Sequence, residues 1–255
     1  MQNGADFEGL VAIVTGGSSG IGAATAAELA GRGATAVSLD LHPPAAGASS
    51  AYEHVDIADP EATTAAVDAV AWRFGGVDVL INNAGIPAIG TIETNPMEEW
   101  HRVFAVNLFG VVHASRAAVP HLRRSRSAAV VNVGSIAAVA GLPERAIYSA
   151  AKGGVQALSL AMAADLVREG IRVNCVSPGT AETPFVTDLL AIAPDPTAQR
   201  RSMESRQPIG RLVSAGEVAW AIAYLASPLS ASTTGTVLSV DGGFGGVRLP
   251  PRLDA

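Results

Sequence analysis

The chain has 255 residues, 49% of them hydrophobic and 16% charged, with a formal net charge of −6. That length and apolar share suit one α/β domain with a sizeable core. The acidic balance, with no basic run larger than Arg123-Arg124-Ser125-Arg126, argues against nucleic acid as a partner, and no uninterrupted apolar stretch of about 18 residues marks a membrane span.

The opening residues 1–6 carry no signal-peptide pattern. The lone cysteine, Cys175, allows no intrachain disulfide and suits a reducing cytoplasm; it reads as core filler. The histidines His42, His54, His101, His113 and His121 are scattered without a ligand spacing, so no metal site is expected.

The run Leu10–Val14 reads as a strand, Thr15-Gly-Gly-Ser-Ser-Gly-Ile-Gly22 as a turn, and Ala23–Arg32 as a helix. Strand, glycine turn and helix in that order make an anion site. Glycine lets the backbone approach a pyrophosphate, and the helix start offers free N–H groups. The same turn also closes ordinary strand–helix corners. The second strand, Ala36–Asp40, ends in an acid that can accept from ribose hydroxyls and repel a 2′-phosphate. Leu41 and His42 follow, with no Arg or Lys, so NAD is expected over NADP.

Tyr52–Asp56 reads as strand three, with Asp56 and Ile57 at its carboxyl end, where Asp56 either faces adenine or starts the turn before Pro60. Val77–Ile81 is strand four, closed by Asn82-Asn-Ala-Gly85, whose small residues suit a flat ligand or a plain turn. Met97–Arg123 is a long helical pattern interrupted by Asn107, a poor mid-helix residue unless its side chain answers an unpaired backbone group or a water.

Ser135 follows a β-rich run, and Tyr148 and Lys152 sit four apart in an alanine-rich helical segment, hence on one face. An ammonium beside a phenol favours the phenolate, so Lys152 is expected to lower the Tyr148 pKa towards neutrality and make it a proton donor and acceptor. The pair alone is also common on solvated helices.

Thr15-Gly-x-x-x-Gly-x-Gly22, Asn82-Asn-Ala-Gly85, Asn107, Ser135 and Tyr148-x-x-x-Lys152, in this order, resemble the short-chain dehydrogenase/reductase family from about Leu10 to Gly243. The resemblance implies a single Rossmann-like doubly wound α/β domain with a seven-stranded parallel sheet in the order 3-2-1-4-5-6-7, flanked by helices. The remaining strands are placed at Val130–Gly134, Ile171–Val176 and Thr236–Val240. Within one domain spanning residues 1–255, residues 10–95 are expected to be mainly dinucleotide-binding, 97–183 catalytic, 184–213 a substrate lid and 244–255 a tail at a subunit interface.

By the resemblance, Tyr148 is the general acid/base and Lys152 holds the ribose. Ser135 donates to the substrate oxygen, and Asn107 holds a relay water. Gly16, Ser18, Ser19, Gly20, Ile21 and Gly22 would hold the pyrophosphate side, Asp40 the ribose, Asp56 and Ile57 adenine, and Asn83, Ala84 and Gly85 the adenosine side. Pro178, Gly179 and Thr183 would face the nicotinamide. The partner implied is a small molecule, and family members usually assemble as tetramers.

Gly179-Thr-x-x-Thr-Pro184 and the run from Arg206 to Ser214 resemble members that oxidise aldoses or sugar acids, of the L-fucose and L-rhamnose type. Glu144, Glu182 and Phe185 are the expected substrate contacts beside Ser135 and Tyr148, with Glu93, Arg200 and Arg201 as further polar candidates. An apolar substrate would instead want Ile86, Leu142, Phe185 and Met203. The alternatives are an NADPH-dependent reductase of 3-oxoacyl thioesters or another carbonyl and, less favoured, a non-catalytic dinucleotide-sensing protein.

Overall fold

The computed structural model describes residues 5–250 except 192, and the backbone but not the side chains of 185, 188 and 189. Nine strands and eight α-helices alternate along these residues: β1 Val11–Thr15, α1 Gly20–Gly31, β2 Thr35–Asp40, β3 Ala51–His54, α2 Pro60–Phe74, β4 Val79–Asn82, α3 Met97–Phe104, α4 Gly110–Leu122, β5 Ala129–Val133, α5 Ala146–Leu166, β6 Arg172–Pro178, β7 Ala181–Glu182, α6 Pro184–Ala191, α7 Pro196–Ser205, β8 Val213–Ser214, α8 Ala215–Ala226 and β9 Val237–Val240.

Seven strands form one parallel sheet in the order β3-β2-β1-β4-β5-β6-β9. This is the expected order; the seventh place is filled by the ninth strand because β7 and β8 pair only with each other. β1, β4 and β5 are buried along their whole length, which is why they read as mainly apolar runs; Thr15, Asn82 and Asn132 are the polar residues in them, and Asn82 donates to Asn132 at 2.8 Å. One apolar cluster fills the face under α2, α4 and α5, with Val67, Ala118 and Leu166 on Leu80 and Val130. A second fills the face under α1 and α8, with Leu29 and Ile222 on Val14 and Ile81. Each fully buried Leu or Ile contributes roughly 1.5–3 kcal/mol relative to exposure.

Local chemistry sets the ends. Asp59 caps α2 by accepting from the Ala62 N–H at 2.9 Å, Pro60 takes the first helical position, and Gly75 closes the helix at φ 89°. Ser214 and Glu217 form a reciprocal capping box on α8. The helical pattern expected over 97–123 is three pieces, because residues Ala105–Phe109 form a π-turn between α3 and α4. Met97–Leu122 has the length and mean hydropathy (1.3) to cross a membrane by composition alone, yet it packs along one side against other helices, α4 on α2 and α3 on α5.

Because every strand of the large sheet is parallel, all carboxyl ends meet at one edge. The Arg123–Arg126 cluster lies at the end of α4, where Arg123 pairs with Glu169 at 2.5 Å. Cys175 is fully buried in β6, as expected, and His113 and His121 are tied to the Ile57 carbonyl and to Asp68. No group of three metal-ligating side chains occurs among the described residues.

Candidate active site

The carboxyl edge opens into a cleft of about 470 Å³. Its floor begins at the glycine turn. Gly16 and Gly20 adopt φ of 62° and 52°, conformations that a side chain resists. A Cβ on Gly22 would overlap the Gly16 carbonyl and approach the Asn83 amide at 2.5 Å. Asn83 Nδ2 donates to the Thr15 and Gly16 carbonyls, both at 3.0 Å, while Thr15 Oγ1 accepts from the N–H groups of Asn83 and Ala84. The Asn83 side chain therefore braces the turn. Thr15 is a brace the sequence reading left unassigned.

Gly16, Ser19, Gly20 and Ile21 line the cleft; Ser18 and Gly22 do not. Ser18 instead donates its backbone N–H to Asp40 Oδ2 at 3.0 Å, and Asp40 Oδ1 accepts from His42 N–H at 3.1 Å. The Asp40 carboxylate is thus anchored at one end of the cleft. The neighbouring lining residues there are Leu39, Leu41, Val55, Asp56 and Ile57, without a cation among them. Asp56 serves both expected roles: it lines the cleft and starts the turn, accepting from the Ala58 N–H at 2.9 Å. Ala84, Gly85, Pro178, Gly179 and Thr183 also line the cleft. This end fits a nicotinamide dinucleotide: a close-approach glycine cradle, a fixed carboxylate for ribose, and a flat wall.

At the other end Ser135, Tyr148 and Lys152 meet. Ser135 leaves β5 in extended conformation and accepts from the Ala137 N–H at 3.1 Å. Tyr148 and Lys152 stand one turn apart on α5, with Lys152 Nζ 5.9 Å from the Tyr148 ring centre. Lys152 is 3% exposed and donates to the Val133 carbonyl at 2.8 Å. A Cβ on Gly85 would sit 3.5 Å from its Nζ.

Asn107 lies beside this group, its Oδ1 3.4 Å from the point where a Gly85 Cβ would sit. Its side chain closes a pair of hydrogen bonds with the Ile86 backbone, accepting from the N–H at 2.8 Å and donating to the carbonyl at 2.9 Å. It lies in the π-turn, so the helix irregularity presents it to the strap after β4.

One electrostatic expectation is corrected. Lys152 does not bring the Tyr148 pKa down; burial raises it, against smaller opposing effects of the Ser135 hydroxyl and the Arg145 charge. Desolvation also weakens Lys152 as a cation, lowering its own pKa to about 8.

Of the expected substrate residues, Ser135 and Tyr148 line the cleft, whereas Glu144 and Glu182 do not. Glu144 is exposed outside the cleft, at φ 56° in a turn, its carbonyl accepting from the Gly90 N–H. Glu182 points to Arg200, at 2.7 Å, because α7 carries that cation past it. Phe185 lies outside the residues whose side chains are described. Ile86, Leu142 and Met203, the apolar alternatives, do line the cleft, as do Arg145 and Arg206. Arg145 was overlooked although it stands three residues before Tyr148. The helical hairpin α6–α7 supplies Val186, Met203 and Arg206 to the roof, held by its own small core with Leu212.

The family model described as enoyl-(acyl carrier protein) reductase matches residues 16–245. Cis-4-hydroxycyclohexanecarboxylate dehydrogenase of Sinomonas cyclohexanicum is 41% identical, over 94% of this chain and 98% of that protein. L-fucose dehydrogenase of Oryctolagus cuniculus is 36% identical, over 95% and 87%. The solved structure of Thermoplasma acidophilum aldohexose dehydrogenase superposes with a TM-score of 0.91 at 34% identity, covering 97% of this chain and 99% of that one. Matched along nearly its whole length in both sequence and fold, this chain belongs to the short-chain dehydrogenase/reductase family, oxidoreductases that act on alcohol and carbonyl substrates.

Proposed function

We propose that the chain is an NAD-dependent dehydrogenase that oxidises a secondary alcohol on a small ring, such as an aldose or sugar acid of the L-fucose kind. The observation that carries this reading is the cleft itself, which has the Asp40 carboxylate at one end and Ser135, Tyr148 and Lys152 together at the other. The dinucleotide, when bound, accepts the hydride from the carbinol carbon. The chain's residues do the rest. Tyr148 takes the hydroxyl proton as the C–O bond becomes a carbonyl, and Ser135 donates a hydrogen bond to that oxygen. Lys152, Gly85 and the glycine turn hold the cofactor, with Asp40 on its ribose. Asn107 keeps the Ile86 strap in place beside Lys152.

Relatives acting on an aldohexose and on L-fucose support a hydroxylated ring. The apolar wall of Ile86, Leu142 and Met203 favours a second reading, a ring with one apolar face and few hydroxyls, as in the hydroxycyclohexanecarboxylate relative. Exposed Phe109 and Leu160, on the π-turn and α5, support pairing of these faces in a homotetramer. The single buried thiol supports a cytoplasmic setting.

The test is turnover followed by nicotinamide absorbance, with NAD and NADP, on aldoses, sugar acids, hydroxycyclohexanes and an acetoacetyl thioester. NAD-linked oxidation of a ring alcohol that is lost in Tyr148→Phe, with NAD binding retained, is the expected result. If Tyr148→Phe keeps more than about a tenth of kcat, a loss below about 1.4 kcal/mol, the general acid/base role is refuted.

A further inference from the structure

The substrate end of the cleft combines an apolar wall with two cations. Ile86, Ala88, Leu142, Val186 and Met203 form the wall, and Arg145 and Arg206 stand among them. The two arginines arrive from separate elements: Arg145 immediately precedes α5, and Arg206 closes α7. Arg145 is planted by the turn before it, where Gly90 bridges to Arg145 and its N–H donates to the Glu144 carbonyl at 3.0 Å.

Among the described residues both guanidiniums make only backbone hydrogen bonds: Arg145 to the Glu144 carbonyl at 2.9 Å, and Arg206 to the Ser202 carbonyl at 3.1 Å. Among the described residues neither forms an ion pair, although Arg200 in the same hairpin engages both Glu182 and Glu204. Burial and the Arg206 charge both weaken Arg145 as a cation. Two half-buried cations thus line one cleft beside an apolar wall, an arrangement that an anion between them would complete. Planar guanidiniums are suited to bidentate capture of a carboxylate.

We infer that Arg145 and Arg206 clamp a carboxylate carried by the substrate, so that its ring lies on the apolar wall and its secondary hydroxyl reaches Tyr148 and Ser135. The inference rests on the dehydrogenase reading above and narrows it: the substrate is a ring hydroxy acid rather than a neutral sugar. The carboxylate could sit on an alicyclic ring or on a sugar acid, and the two are separable by assay.

The first experiment compares kcat/KM for 4-hydroxycyclohexanecarboxylate with its methyl ester, and for a hexuronate with its parent aldose. A preference of at least tenfold for one or both acids is expected, and the better acid identifies the ring. Arg206→Met and Arg145→Met should raise KM for that acid tenfold or more while kcat moves less than threefold. Arg206→Lys should recover part of the loss, and thermal unfolding midpoints confirm that the variants fold.

The second experiment needs no turnover. Cyclohexanecarboxylate and cyclohexanecarboxamide are titrated calorimetrically into the NAD-loaded protein. Tighter binding of the acid by tenfold or more, abolished in both Met variants, supports the clamp; equal affinities, or no binding of the acid, overturn it. Oxidation of neutral ring alcohols without an acid preference sinks the clamp and leaves the dehydrogenase standing. Acid binding with no oxidation of any alcohol by either dinucleotide does the reverse.

Discussion

Lys152 should make the stability of the fold depend on pH in an unusual direction. It is 3% exposed, and burial lowers its pKa from 10.5 to about 8. Between those values the unfolded chain binds the proton more readily than the folded one. Stability from this group therefore rises with pH across that window, because the folded state no longer carries a buried charge. A shift of this size corresponds to about 3 kcal/mol, of which some 2 to 3 kcal/mol is relieved between about pH 7 and pH 10. Lys152→Met removes the charge at every pH. It also removes the hydrogen bond to the Val133 carbonyl, a loss of about 1 kcal/mol that is nearly the same at each pH. The informative quantity is thus the stability difference between variant and parent, by urea unfolding at steps from pH 7 to 10. Relative to the variant, the parent should gain about 2 to 3 kcal/mol over the range. A difference constant to within about 0.5 kcal/mol would show that Lys152 is not desolvated as argued.

Other consequences are as sharp. Burial raises the Tyr148 pKa above its ordinary value, so alcohol oxidation, which needs the phenolate as base, should accelerate as pH rises from neutrality; a flat kcat/KM profile up to pH 10 would remove Tyr148 from that role. Asp40→Ala should narrow the NAD over NADP preference by lifting repulsion of a 2′-phosphate, read as the ratio of KM values; an unchanged ratio counts against a ribose contact. Gly22→Ala drives a Cβ into the Gly16 carbonyl and should cost roughly 1–3 kcal/mol in thermal unfolding and weaken dinucleotide binding, whereas unaltered values would mean the turn relaxes freely. Removing residues 247–255 should change sedimentation or KM if the tail meets a neighbouring subunit; residues 251–255 lie outside the described structure.

Much of the fold was legible because parallel strands buried on both faces are mainly apolar, as β1, β4 and β5 are. Strand limits moved by at most two residues: the fourth strand begins at Val79 rather than Val77, for the Asp78 side chain is spent on the Val11 N–H and Ser125. The π-turn at Asn107 was legible only as an anomaly, since its reason is the Ile86 backbone twenty-one residues away.

From the chain of letters alone came everything that rests on local spacing: the glycine turn, the acid ending β2, and the Tyr148–Lys152 face of one helix. The walls of the substrate end were settled in three dimensions only. Arg200 claims Glu182 and a left-handed turn leaves Glu144 outside, while the α6–α7 hairpin carries Arg206 into the same cleft as Arg145. Spacing along one element dictates which side chains share a face; which faces then converge depends on how separate elements pack, and that is decided by the buried core they have in common.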